Sequence, residues 1–204
     1  MKLMETFESL ITNEKYSELN KIIKEKYPKY YSPELMEDLF SWIEGADIKG
    51  IKFERLVNAS GIAHYDRLII NKTVLYNNFC YFLYVLLHET SHYYQFKKHG
   101  MEIEMDAFNS DDVIEIADKI LDIEIIADRL AIRKFGMFVK KYDLQCDLPK
   151  SHYITIKNSE NSYKNFLNYI QQVMGMIKEK DIKSNKDLVD AIYNMINSQY
   201  THLS

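Results

Sequence analysis

Residues 79–92 read FCYFLYVLLHETSH, and this stretch decides the centre of the fold. A run of mostly apolar residues leads directly into two histidines with a glutamate between them. From Asn77 to Lys98 apolar side chains occupy nearly every side of a helix, which predicts a buried, central helix. Two histidines and a glutamate in such a helix carry a large desolvation cost unless something binds them.

The two histidines of this helix, His88 and His92, lie four residues apart and therefore on one face, about 6 Å apart along the axis. Two imidazoles at that spacing can reach one tetrahedral ion. Glu89 points roughly 100° away, yet it can reach a water in the open fourth position. The pattern HExxH therefore predicts a Zn²⁺ site with Glu89 as catalytic general base. The alternatives are a chance match or a hydrogen-bonded core pair, and the apolar context argues against both.

A third metal ligand is needed, because a catalytic zinc ion usually has three protein ligands and a water. The longer pattern HExxHxxGxxH fails, since Gln95 and Lys98 occupy its glycine and third histidine positions. His99 would lie about 10 Å from His92 along a continuing helix, so it could bind only if the helix broke before it.

Glu124 is the better candidate for this third ligand. On a helix from 112 to 135, Glu124 and Asp128 fall within an otherwise apolar stripe. An unpaired buried carboxylate is costly, so each acid needs a partner. Zinc ligation by Glu124, with Asp128 accepting the outer N–H of a zinc-bound histidine, would satisfy both. The alternative is a salt bridge to Lys or Arg of another helix.

The rest of the chain predicts an α+β fold with one small mixed sheet beside the central helix. Short β-branched segments in residues 50–73 predict two or three strands, and HYITIK at 152–157 predicts one more. Further helices are expected at about 3–26, 33–45, from 112 to Gly136, 161–179 and 185–199. We expect a single domain over 1–204, with N-terminal helices at about 1–48, a catalytic core at about 49–136 and a C-terminal helical part at about 137–204.

Composition excludes several classes of protein. The formal net charge of −4 argues against a dedicated nucleic-acid binder, and 47% hydrophobic residues allow a real core. The longest apolar stretch, Phe79 to Leu87, is too short for a membrane span. Two cysteines, Cys80 and Cys146, are too few for a disulfide framework, so a soluble protein in the reducing cytoplasm is expected.

The motif HETSH followed by EIIAD at 124–128 resembles the HExxH…ExxxD arrangement of gluzincin metallopeptidases. The ExxAD form is similar to the heat-shock and CAAX-prenyl protease branch and to the small soluble minigluzincins. The resemblance implies a zincin-like fold, and the same ligand, base and positioning roles that the spacing predicts. Thr90-Ser91 departs from the apolar or small residues of the membrane-bound members, whose transmembrane helices are also missing.

The segment before the central helix is also similar in order to that branch: Asn58-Ala59, a hairpin, then Ile69-Ile70-Asn71. In the branch the Asn-Ala strand is the edge on which substrate lies, so an edge near 56–64 is expected to hold an extended peptide. A His or Tyr that stabilises the transition state is known in thermolysin-like enzymes. The candidates here are His152, Tyr153 and Tyr94, each with a structural role as the alternative.

The predicted function is zinc-dependent hydrolysis of peptide bonds in a peptide or protein substrate, as an endopeptidase. One alternative is a non-catalytic zinc-binding regulatory or interaction module. A closed structural site would normally have a fourth protein ligand, and neither cysteine is at ligand spacing from His88. A zinc hydrolase with a substrate other than peptides is the other alternative. The sequence gives neither the cleavage preference nor the oligomeric state.

Overall fold

The computed structural model describes residues 14–57 and 59–198, which form mostly helices and one three-stranded sheet. The predicted α+β class is confirmed. The strands are β1 (Ile51–Glu54), β2 (Gly61–His64) and β3 (Arg67–Asn71). The helices are α1 (Glu14–Lys26), α2 (Pro33–Gly45), α3 (Phe79–His99), α4 (Ile103–Ala107), α5 (Val113–Tyr142), α6 (His152–Asn158), α7 (Glu160–Lys180) and α8 (Asn185–Ser198), with 3₁₀ turns at Pro28–Tyr30 and Lys72–Tyr76.

The sheet is mixed, as predicted, and its middle strand is β3. Strand β1 pairs with β3 in parallel, and β2 pairs with it in antiparallel fashion. The Ser60 carbonyl accepts a hydrogen bond from the Asn71 N–H. The N–H and C=O groups of successive residues point to alternate sides of an antiparallel strand. Those of Gly61 and Ala63 therefore point to the edge of β2 that faces away from β3. No described strand pairs with that edge.

Helix α3 is central, as its sequence predicts. It packs against α5, β2 and β3. Phe79, Phe82, Leu83 and Leu86 have almost no exposed surface, and each such side chain stabilises the fold by about 1.5–3 kcal/mol. The Asn78 side chain accepts from the Tyr81 N–H and so fixes where the helix begins.

The two N-terminal helices contribute buried side chains to the main core. Tyr16, Leu19 and Ile23 of α1 are fully buried at helical spacing. The helix was predicted over about 3–26, and the part before residue 14 lies outside the described residues. In α2 the Ser32 hydroxyl accepts from the Leu35 N–H, which confirms the predicted start.

Helix α5 is longer than predicted, because Gly136 does not end it. The helix continues to Tyr142 and stops where Asp143 adopts a left-handed conformation, φ 48°. Phe138 lies beyond the glycine and is buried in the main core. That burial offsets the cost of a helical glycine, which is about 1 kcal/mol relative to alanine.

The predicted strand at 152–157 is wrong, since these residues form helix α6. The Ser151 hydroxyl accepts from the Ile154 N–H and caps the helix. Tyr153 and Ile156, three residues apart, are half-buried, while Ile154 is exposed. The inward positions therefore follow a helical period, and the β-branched composition misled the prediction.

The two cysteines are joined in a disulfide, which the expectation of a reducing compartment did not predict. Cys80 in the first turn of α3 is bonded to Cys146 in the segment after α5. The bond connects two elements 66 residues apart in sequence. The cytoplasmic location therefore stays a prediction, because disulfides are rare in reducing compartments.

The two C-terminal helices were predicted closely, apart from residue 199, which lies outside the described residues. They form two smaller apolar clusters with α4 and α5, in which Val173 and Ile170 of α7 are buried. Helix α8 also contacts the sheet, where His64 Nε2 lies 2.8 Å from Asp190 Oδ1. Within residues 14–57 and 59–198 no helix is both long and apolar enough to cross a bilayer.

Candidate metal centre

Three of the predicted residues meet at one point between α3 and α5. His88 Nε2 lies 3.2 Å from His92 Nε2. Glu124 Oε2 lies 3.3 Å from His88 Nε2 and 3.4 Å from His92 Nε2. The three atoms form a nearly equilateral triangle, so this group could hold a metal ion.

The size of the triangle fits a tetrahedral ion. With bonds of about 2.0–2.1 Å, two ligand atoms of a tetrahedral site are about 3.3 Å apart. The three observed separations, 3.2, 3.3 and 3.4 Å, are close to that value. Glu124 Oε2 is also buried without a hydrogen-bond partner, and coordination to a cation would satisfy it.

The outer nitrogen of His88 faces the second predicted acid. Asp128 Oδ1 lies 2.8 Å from His88 Nδ1, at the distance of a hydrogen bond although the two groups are not well aligned. The same fully buried carboxylate accepts hydrogen bonds from Tyr84, at 2.5 Å, and from Ser151. A proton held at Nδ1 leaves the lone pair on Nε2, which faces the other two ligand atoms.

The outer nitrogen of His92 has a partner that the sequence analysis did not find. His92 Nδ1 lies 3.1 Å from Gln95 Oε1, and Gln95 Nε2 donates to the Ile123 carbonyl at 2.7 Å. The carbonyl of α5 fixes which way the amide points, so the amide oxygen faces His92. Gln95 is buried one turn after His92, and a buried polar residue at that spacing is the signal in the sequence.

The charges of the three groups are strongly coupled. Burial would raise the pKa of Glu124, but His92 and then His88 hold it well below its usual range. Burial would lower the pKa of His88, but Asp128 and Glu124 raise it well above its ordinary value. The pKa of His92 is raised as well, by Glu124 against the effect of burial. The centre therefore favours positive charge, which a divalent cation would provide.

Glu89 is buried beside the triangle and packs against Gly61 and Ala63 of strand β2. Burial raises the pKa of Glu89, while His88, His92 and a hydrogen bond from the Ala63 backbone lower it in part. A Cβ atom added to Gly61 would lie 2.6 Å from Glu89 Cγ, so only glycine allows this approach.

An open cleft of about 910 Å³ leads to these residues. Tyr153 lies in its wall with its ring stacked on His88, at a centroid distance of 5.8 Å. Burial first, then Glu124 and Glu89, raise the pKa of the Tyr153 hydroxyl well above its usual value. His152 lines the cleft too.

Other candidates from the sequence lie elsewhere. The Tyr94 hydroxyl donates to the Trp42 carbonyl at 2.7 Å, outside the described lining of the cleft. His99 is the exposed last residue of an unbroken α3 and does not join the triangle. Within the described residues neither Glu124 nor Asp128 pairs with a Lys or Arg, and their partners are the histidines and hydroxyls above.

One carboxylate of the cleft was missed by the sequence analysis, because the short helix α4 that carries it was not predicted. Glu104 lines the cleft half-buried. Burial raises its pKa to about 7, with His92 lowering it and Glu124 and Glu89 raising it further.

Comparisons with protein-family models, with curated proteins and with solved structures found no match to this chain. The gluzincin resemblance therefore rests on the motif and its spacing alone.

Proposed function

We propose that the chain is a zinc-dependent peptidase of the gluzincin type. The observation that carries the proposal is the triangle of His88 Nε2, His92 Nε2 and Glu124 Oε2, whose edges of 3.2–3.4 Å suit one tetrahedral ion. Two imidazoles and a carboxylate are the ligand set of several catalytic zinc sites, in which the fourth position is open. When bound, zinc lowers the pKa of a water molecule and polarises a carbonyl group.

Glu89 would act as the general base. Its burial keeps the pKa above the ordinary value for a glutamate, which moves the carboxylate toward the range useful for proton transfer at neutral pH. The carboxylate would take a proton from the attacking water and pass it to the leaving amine. The hydrogen bond from Ala63 holds the side chain in place for both transfers.

Strand β2 would hold the substrate in extended form. Gly61 and Ala63 turn their backbone groups to the edge of β2 that has no described strand partner, and both line the cleft. The Ala63 N–H donates to Glu89, so a peptide would pair with the other backbone groups of this edge. A peptide added along this edge would lie beside Glu89 and the metal ligands. The Asn58 of the predicted substrate edge lies outside the described residues.

Tyr153 would stabilise the oxyanion. Its ring stacks on His88, and the residue lines the cleft beside the metal ligands. A tyrosine hydroxyl is protonated at neutral pH, and burial raises its pKa further, so it can donate a hydrogen bond to a developing oxyanion.

The first experiment measures metal per chain by mass spectrometry after zinc is supplied and excess removed. Wild type should hold one zinc, Glu124→Ala should lose most of it, and Glu115→Ala should not, because Glu115 is exposed on the opposite face of α5. Absence of zinc from wild type would refute the metal centre.

The second experiment tests catalysis with a peptide library whose products are identified by mass spectrometry. Wild type should cleave peptides, and Glu89→Gln should retain zinc while losing hydrolysis. Full activity in Glu89→Gln would remove Glu89 from the mechanism. Bound zinc without cleavage of any peptide would reject the peptidase function and leave the two alternatives, a non-catalytic zinc-binding module and a zinc hydrolase with another substrate.

A further inference from the structure

Four carboxylates line the cleft in the described part of the chain, and three of them have partners there. Glu124 faces the two histidines, Asp128 accepts from Tyr84 and Ser151, and Glu89 accepts from the Ala63 backbone. Glu104, by contrast, has no hydrogen bond or ion pair with any described residue. A half-buried carboxylate without a hydrogen bond or an ion pair is unfavourable in the free protein.

The surroundings of Glu104 are apolar and aromatic. Phe108 lies four residues later, lines the same cleft and packs against the apolar cluster that contains Val173 of α7. Tyr169 lines the same cleft, and burial first and then the charges of Glu124 and Glu104 raise the pKa of its hydroxyl to about 12. Apolar walls that end at one carboxylate fit the methylene stem and charged end of a long cationic group. Aromatic faces attract the same kind of group.

The position of Glu104 relates it to the metal centre. Glu104 lines the same cleft as His92, Glu124 and Glu89, and His92 lowers its pKa whereas Glu124 and Glu89 raise it. Tyr153 stacks on His88, and Asp128 faces the outer nitrogen of His88. A peptide bound across the centre would therefore place one group next to Glu104 and the scissile bond next to Glu89.

We propose that Glu104, with Phe108 and Tyr169, forms a subsite for an ammonium or guanidinium group of the substrate, and so determines specificity. The cation is either a Lys or Arg side chain or the α-amine at the N-terminus of a peptide. This inference rests on the proposed peptidase function for its substrate class. A cation there relieves the repulsion among three nearby carboxylates.

The test compares zinc-loaded wild type, Glu104→Gln and Asp106→Asn. Asp106 is the matched control, because it is exposed on the same short helix and does not line the cleft. A proteome-derived peptide library gives the cleavage sites, and synthetic peptides then vary Lys against norleucine and a free against an acetylated N-terminus. Zinc content and melting temperature of each variant show that it is folded.

We expect wild type to prefer Lys or Arg at one fixed position, or a free α-amine. Glu104→Gln should reduce the ratio of kcat/KM for the charged over the neutral peptide by roughly 10- to 100-fold. Asp106→Asn should leave the ratio unchanged. A wild type without cation preference, or an unchanged ratio in Glu104→Gln, would overturn the proposal. Dependence on Lys, or on the free N-terminus, separates the two sources of the cation.

A binding measurement separates this proposal from the peptidase function. Ligand-observed NMR follows n-butylguanidinium, which stays charged and is a poor zinc ligand, with n-pentanol as the neutral probe. Binding to wild type that is lost in Glu104→Gln supports the subsite even if no peptide is cleaved, in which case only the peptidase function fails. Equal binding to wild type and Glu104→Gln, or no binding to either, overturns the subsite.

Discussion

The carboxylate of Asp128 contacts three side chains, those of His88, Tyr84 and Ser151. It is fully buried, and two hydroxyls donate to it beside its contact with His88. These hydrogen bonds fix the carboxylate, and the carboxylate in turn fixes the ring of His88. The role inferred for Asp128 is therefore to position a metal ligand rather than to bind the metal.

The substitution Asp128→Asn should weaken zinc binding by roughly 10- to 100-fold, because the amide removes the charge and places an N–H₂ group among three donors. A competition titration with a zinc-binding dye measures the change. Asp122→Asn is the control, since Asp122 is exposed and pairs only with Lys157 among described residues. Equal zinc affinity for Asp128→Asn and wild type would contradict the positioning role.

Gly61 is the second residue whose role can be tested singly. In Gly61→Ala the new methyl group would lie 2.6 Å from Glu89 Cγ, so the Glu89 side chain must move. We expect zinc content near that of wild type and hydrolysis reduced by at least about tenfold, since the base loses its position. Peptide cleavage and metal analysis are measured together.

The control for this substitution is Gly50→Ala. No atom lies within 4 Å of a Cβ added at Gly50, so activity should be unchanged. If Gly61→Ala cleaves peptides as fast as Gly50→Ala, the close approach of β2 to Glu89 has no functional importance.

At this scale the sequence predicted the triangle but not its whole surroundings. His88 and His92 were found because four residues make one helical turn, and Glu124 because a carboxylate stood in an apolar stripe. The spacing of Gln95 from His92 alone did not show its role, because the Ile123 carbonyl that orients its amide belongs to another helix. Glu104 was missed because α4 has only five residues, too few for a periodic signal.

Helices α3 and α5 together form the candidate centre, since one supplies both histidines and the other supplies Glu124 and Asp128. Both helices begin at a residue type that favours helix starts. The side chains of Asn78 and Asp112 each accept a hydrogen bond from a backbone N–H in the first turn. The end of α5 was not predicted, since long-range burial of Phe138 outweighed the local effect of Gly136. Burial also decided α6, where local β propensity favoured a strand.

The disulfide ties the first turn of α3 to the segment after α5. Closing a loop of 66 residues should stabilise the protein by about 4 kcal/mol on a chain-entropy estimate. Reduction, or the double substitution Cys80→Ser and Cys146→Ser, should lower the free energy of unfolding in urea by up to that amount. Thiols are counted in the denatured protein without reductant. Two free thiols would show that the disulfide does not form, and reductant should then leave the free energy of unfolding unchanged.

At the scale of the whole molecule, α3 and α5 present four ionisable groups to each other across the core. Without a cation, their attraction must offset the burial of His88, His92, Glu124 and Asp128. Metal binding should therefore couple the two helices and raise the stability of the complete fold. The cleft that reaches the centre explains why an ion could enter after folding.

Zinc at about one hundred times its dissociation constant should stabilise the folded chain by about 2.7 kcal/mol. For a protein of this length that corresponds to a rise in Tm of roughly 5–10 °C, measured by calorimetry with zinc and with chelator. Glu124→Ala should show little rise, while Glu115→Ala should respond like wild type, because its carboxylate contacts Lys119 at the surface. A Tm that is the same with zinc and with chelator would mean that the triangle does not bind the ion tightly. An equal rise in wild type and Glu124→Ala would instead place the zinc at a different site.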